Sequence, residues 1–149
     1  RRHRRLVAAE AAEVHSSWYA DYGALYHRKT VELLALGREV TDAERADALA
    51  GRERLREELA ALAAESGVDL WITPAAPSGA PLGLDSTGDP IMNLPWSHCG
   101  LPTLSIPAGT NTEGLPLGLQ VAAGWQRDEE LFAWGGMIEE AMGGGRAAG

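Results

Sequence analysis

The stretch PAAPSGAPLGLDSTGDP, from Pro74 to Pro90, places four prolines and three glycines within seventeen residues. Proline has no backbone N–H and clashes inside a helix, and in a sheet it is confined to edges and strand ends. Neither a helix nor a central strand can run through this segment, so the fold must be assembled from what lies on either side. Loops of this length inside a domain carry function or are disordered. So many prolines also stiffen the chain, so this loop is read as ordered and as the first place to look for binding. A plain surface linker is the alternative.

On the amino-terminal side, residues from about Arg5 to Leu36 are rich in Ala, Glu, Leu and aromatics without proline. This predicts one or two helices, interrupted near Gly23. Thr41-Asp42-Ala43-Glu44 has the form of a capping box, in which hydroxyl and carboxylate each satisfy an orphan N–H at a helix start. The helix it opens carries Leu55, Leu59 and Leu62 on one face, with Arg52, Arg56, Glu57 and Glu58 on the other. Gly67 ends it. Val68–Thr73 is β-branched and aromatic and predicts a strand, which Pro74 turns into the loop.

Beyond the loop, Thr103–Ile106 and Leu117–Val121 read as two strands of an antiparallel hairpin, joined through AGTNTEGLP. Gly-Leu-Pro occurs twice, at 100–102 and 114–116, each time just before an apolar run. The flanking residues do not recur at a fixed period, so it punctuates strands and is not a repeat unit. Asp128 is expected to cap a closing helix with Leu131, Trp134, Ile138 and Met142 at helical spacing, stopped by Gly143. Gly135 and Gly136 inside it cost about 1 kcal/mol each against Ala, which implies close packing on another element.

The sum is an α/β piece of about three strands and three to four helices. It is expected to form a single partial domain: helical over 1–67, strand, loop, hairpin and helix over 68–142, and a frayed tail over 143–149. Three strands make only a small sheet, and the first residue is Arg1 rather than Met. The partners of those strands are therefore expected in sequence outside this chain.

Composition excludes several classes of function. A net charge of −8 argues against nucleic acid, whose phosphates demand a basic face. Arg1, Arg2, Arg4 and Arg5 are read as a solvated helix start rather than a targeting or phosphate-binding arm. No run approaches the roughly 18 apolar residues of a membrane span, and no charged-then-apolar leader opens the sequence, so a cytoplasmic protein is expected. Cys99 is the one cysteine, which rules out an internal disulfide and a multi-cysteine zinc site and fits a reducing compartment. No metal and no cofactor are expected.

Seven serines and four histidines invite a search for a nucleophile, but G-x-S-x-G, G-x-G-x-x-G, H-E-x-x-H and the Walker loop are all missing. Asp89, Ser97, His98 and Cys99 form the tempting group. Read as an extended segment, Ser97 and His98 point to opposite faces and cannot share the hydrogen bond a triad needs. Cys99 is read as a small buried apolar residue. His3, His15 and His27 are placed on helical stretches, as solvent-facing or capping groups rather than metal ligands.

Three blocks carry a family resemblance: DLWITPAAPSGAP, TGDPIMNLPWSHCGLPTLSIPAG and GLPLGLQVAAGWQRDEELF, closed by the helix with Ile138-Glu139. In this order and spacing, the segment from Asp69 to Met142 resembles the carboxy-terminal part of the amidase signature family. YGALYHRKTVELLALG, upstream, resembles the same enzymes less specifically. The resemblance implies a mixed sheet flanked by helices and hydrolysis of carboxylic amides to acid plus ammonia or amine. It also implies a Ser nucleophile, a cis-Ser and a Lys base that stand upstream in the family. Nothing here matches those positions, and the only lysine, Lys29, lies in a different context. No catalytic residue is therefore assigned, and the isolated chain is expected to be inactive.

What the resemblance does assign is pocket wall: Asp89, Met92, Asn93 and Trp96 are the expected substrate-binding residues. Trp96 suits an aromatic or apolar acyl group. The expected partners are a small-molecule amide and the missing amino-terminal half of the amidase. A reduced fold serving as a non-catalytic binding or regulatory module is the competing reading.

Overall fold

The proline-free amino-terminal region forms four helices, α1 (Arg2–Val14), α2 (Ser16–Tyr22), α3 (Arg28–Arg38) and α4 (Asp42–Ser66). These and all later elements come from a computed structural model that describes residues 1–143. The chain divides into two units, Arg1–Leu55 and a second beginning at Arg56.

In the first unit the break expected near Gly23 is present as a 3-10 turn, Gly23–Leu25, and a second break falls at His15. There Ser16 Oγ donates to the Glu13 carbonyl at 2.8 Å, and His15 Nδ1 lies 2.8 Å from the Tyr26 hydroxyl. Side-chain bonds to local backbone compete with the helix ladder, which composition alone did not reveal. Leu6, Ala8, Leu34 and Ala48 form the buried core of this unit. The predicted capping box holds: Glu44 N–H donates to Thr41 Oγ1 at 3.2 Å, and Thr41 N–H donates to Glu44 Oε2 at 3.0 Å. Along α4 the expected apolar stripe is partial, with Leu55 and Leu59 half-buried and Leu62 exposed.

The second unit is built on a sheet of β1 (Trp71–Pro74), β2 (Thr103–Thr110) and β3 (Pro116–Ala122), in the order β1-β3-β2 with both pairings antiparallel. The prolines explain that order. Pro74 and Pro107 stand on the outer strands and Pro116 opens the central one, the positions a sheet tolerates. Alternation along the strands gives the sheet two unlike faces. Ile106 and Val121 pack with Ala123 and Leu131, joined by Leu70, Leu104 and Ile138. Thr73, Ser105 and Gln120, aligned in register, make the other face polar.

The two Gly-Leu-Pro tripeptides share a left-handed glycine. Gly100 has φ +71 and Gly114 has φ +80, the left-handed region that a side chain disfavours. Gly100 closes α5 (Leu94–Cys99), and Gly114 completes the hairpin turn, where Asn111 Oδ1 accepts from the Glu113 and Leu115 N–H groups at 2.9 Å each. In both cases the chain reverses at the glycine and extends from the proline into a strand.

Three expectations are corrected here. Residues 94–99 are helical rather than extended; Pro95 sits in the first turn, where its missing N–H costs nothing. Asp128 does not cap the closing helix α6 (Asp128–Ala141) but begins it, after Arg127, and with Glu129 and Glu130 places acid at the positive end of the helix dipole. Close packing holds at Gly135, where an added Cβ would lie 2.2 Å from Leu104 Cδ2, but not at Gly136, which faces open space. Of the expected tail, residues 144–149 lie outside the described residues. Among the described residues no helix is long and apolar enough to cross a membrane, and no cluster of His, Cys, Asp and Glu could hold a metal ion.

Candidate functional site

The proline-rich loop does what its stiffness suggested: it folds beside the sheet and walls a cleft of about 680 Å³. Its start is tied to the central strand by Ala75 N–H donating to the Gly118 carbonyl at 2.9 Å. Gly79 permits a close pass over the hairpin turn, where a Cβ would come within 2.7 Å of Asn111 Nδ2. β1 contributes Ile72, Thr73 and Pro74 to the wall, the hairpin contributes Ala108 and Pro116–Leu119, and the loop supplies the rest. Among the described residues Asp89 is the one charged residue that lines it, in a surround of proline, alanine, leucine and hydroxyls.

Asp89 is exposed and caps a 3-10 turn, Pro90–Met92, through its Oδ1, which accepts from Ile91 N–H at 3.0 Å. Met92 ends that turn, half-buried. Asn93 follows and takes a hydrogen bond on its Oδ1 from Gln120 Nε2, while Gln120 Oε1 accepts from the Thr73 hydroxyl at 3.1 Å. Gln120 is a residue that sequence reasoning missed. The available signal was a polar side chain inside an otherwise apolar strand, LGLQVAA.

Trp96 lies elsewhere. On α5 it is 8% exposed and lines a second hollow, of about 340 Å³, with Gly100, Leu101, Trp125 and Asp128. Its indole N–H is buried without a hydrogen-bond partner. This hollow adjoins Thr103, the first residue of β2, whereas the large cleft adjoins Ala108 near the other end of that strand. The four residues expected to share a pocket thus divide: Asp89 in the cleft, Met92 and Asn93 at the far end of the turn that Asp89 caps, and Trp96 in the separate hollow.

Neighbours on α5 are about 100° apart, which leaves Ser97 exposed and His98 buried. A Ser97–His98 pair is therefore no closer to a triad on a helix than it was on a strand. Cys99 is fully buried, its thiol donates to the Pro95 carbonyl at 3.0 Å, and burial raises its pKa above the ordinary value, which suppresses the thiolate.

Antiparallel strands flanked by helices, with a proline-rich loop walling a cleft, make this an α/β fold of the amidase signature type, and a crystal structure of an amidase matches it with a TM-score of 0.80. That structure is 34% identical and is matched over 93% of this chain, which spans 34% of it. The family model described as Amidase matches residues 24–132, and the chain belongs to that family. It is similar to a glutamyl-tRNA(Gln) amidotransferase subunit of Gluconobacter oxydans, 40% identical over 87 residues, 54% of this chain and 18% of that protein. The corresponding protein of Methylocella silvestris is 42% identical over 83 residues, 50% of this chain and 17% of that protein. The chain matches less than a fifth of the length of these curated relatives.

Proposed function

We propose that this chain is the carboxy-terminal portion of an amidase, and that its large cleft holds a carboxylic amide undergoing hydrolysis to the acid and ammonia or an amine. The cleft itself supports this most directly. It lies within the segment that matches the Amidase family, its walls are mostly apolar, and among the described residues a single carboxylate, Asp89, is set into them. Such a site desolvates an acyl group while fixing its orientation with few polar contacts.

In this reading the chain is one partial domain and supplies no catalytic residue. The Ser nucleophile, cis-Ser and Lys base belong to the amino-terminal part of the amidase polypeptide. The serine attacks the amide carbonyl in an oxyanion hole, the amine leaves, and water releases the acid from the acyl-enzyme. Asp89 faces the substrate directly, Met92 and Asn93 hold the turn behind it, and Trp96 shapes the neighbouring hollow. No cofactor takes part. A single buried cysteine fits a cytoplasmic setting.

Titrating the isotope-labelled chain with benzamide and hexanamide tests the cleft. Chemical shifts are expected to move at Thr73, Gly79, Asp89 and Gly118, with ammonia release no higher than in buffer. Shifts confined to other surfaces would overturn the pocket assignment and favour a non-catalytic module. Ammonia above the control would overturn the claim that catalysis lies elsewhere.

A further inference from the structure

We propose that Gln120 is a positioning residue for the cleft, a buried amide that sets where Asp89 stands; its link to substrate binding rests on the function proposed above. Gln120 is 5% exposed in the central strand, beside the fully buried Val121. A primary amide is costly to bury there unless both of its ends are bonded. Both are: the oxygen accepts from Thr73, which lines the cleft, and the nitrogen donates to Asn93.

Asn93 is where the wall segment is fastened. Its N–H donates to the Pro90 carbonyl at 2.8 Å, and its own carbonyl accepts from Ser97 N–H at 2.9 Å, so it joins the 3-10 turn to α5. The same turn is capped by Asp89 at its other end. One amide therefore connects a strand residue of the cleft wall to the turn that presents the carboxylate. The tie needs one side chain with a polar atom for Thr73 and another for Asn93, a requirement an aliphatic side chain does not meet.

The test is NMR of the labelled chain without ligand, comparing Gln120→Leu and Asn93→Leu with Gln120→Glu. Glutamate keeps an acceptor for Thr73 and presents a second oxygen to Asn93, whose amide can turn over to donate. Both leucine variants are expected to move the Asp89 and Ile91 signals toward random-coil values while Leu131 stays put, and glutamate is expected to restore them. Asn93→Leu cuts the same bond from a half-buried position, so the result stands even if Gln120→Leu fails to fold. Unmoved Asp89 and Ile91 signals in Asn93→Leu, or a glutamate variant as displaced as the leucine one, would overturn the proposal. Benzamide binding, read separately, is expected to weaken about fivefold in Asn93→Leu. If wild type does not bind benzamide, the functional reading fails while the Asp89 and Ile91 signals still decide the role of Gln120.

Discussion

The carbonyl oxygen of Ala8 in α1 stands 1.9 Å from where a Cβ on Gly37 of α3 would lie. The obstacle is backbone, so rotamer changes cannot relieve it. Gly37→Ala gains about 1 kcal/mol of helix propensity but must push two helices apart, and overpacking of this kind costs about 1–3 kcal/mol or more. The variant is expected to be less stable than wild type in urea titration. A midpoint at or above the wild-type value would show that α1 and α3 do not approach this closely.

Gly135 and Gly136 give a matched comparison on one helix. At Gly135 the added methyl meets Leu104, while at Gly136 nothing lies within 4 Å. Gly136→Ala is expected to stabilise the chain by up to about 1 kcal/mol. Gly135→Ala is expected to fall below it by about 1–3 kcal/mol, the gap being set by how far Leu104 can shift. Equal stabilities would mean that α6 does not dock on β2 through this face.

These glycines show what was legible in the sequence and what was not. Close packing was expected at both from the cost of two adjacent glycines in a helix, and it holds at one. Which one could not follow, because that depends on the face α6 turns toward Leu104, about thirty residues away in sequence. The capping box, the loop and the hairpin were legible because their determinants are local: Thr41 with Glu44, four prolines, and Asn111 with Gly114. The short α5 was not, since six residues display too little periodicity to distinguish a turn of helix from a strand. Gln120 was hidden for the same reason as Gly135. Its partners lie 27 and 47 residues away, and a lone polar residue in a strand does not say which groups it will meet.

Glu44 links the cap to acid sensitivity. The Thr41 backbone N–H, and then the Arg5 guanidinium 2.7 Å from both carboxylate oxygens, lower its pKa from 4.5 to about 2. A carboxylate depressed in the folded state contributes stability that is complete above the unfolded value and disappears as pH falls through the folded one. The stability difference between wild type and Glu44→Gln is therefore expected to be constant down to about pH 5 and to shrink steadily between pH 4.5 and 2. Denaturant midpoints across that range check it, and a difference that does not change with pH would show that Glu44 is not the group being titrated.

Arg56 offers the last prediction. Its guanidinium lies 3.5 Å from the centre of the Trp125 ring, and its Nε donates to the Cys99 carbonyl at 2.9 Å. One side chain thus joins the end of α5 to a residue three positions beyond the central strand, at the rim of the smaller hollow. Arg56→Met keeps the aliphatic stem and loses both interactions. A charged hydrogen bond contributes about 1.5–3 kcal/mol and an exposed cation–π contact about 0.5–1 kcal/mol, so a loss of about 2 kcal/mol is expected. Arg56→Lys keeps the charge without the planar fork and should fall between. Because Trp125 is 46% exposed, the ring's own share belongs at the low end, and a double-mutant cycle with Trp125→Leu isolates it at about 0.5 kcal/mol. A coupling energy indistinguishable from zero would show that the Trp125 ring contributes nothing to what Arg56 holds in place.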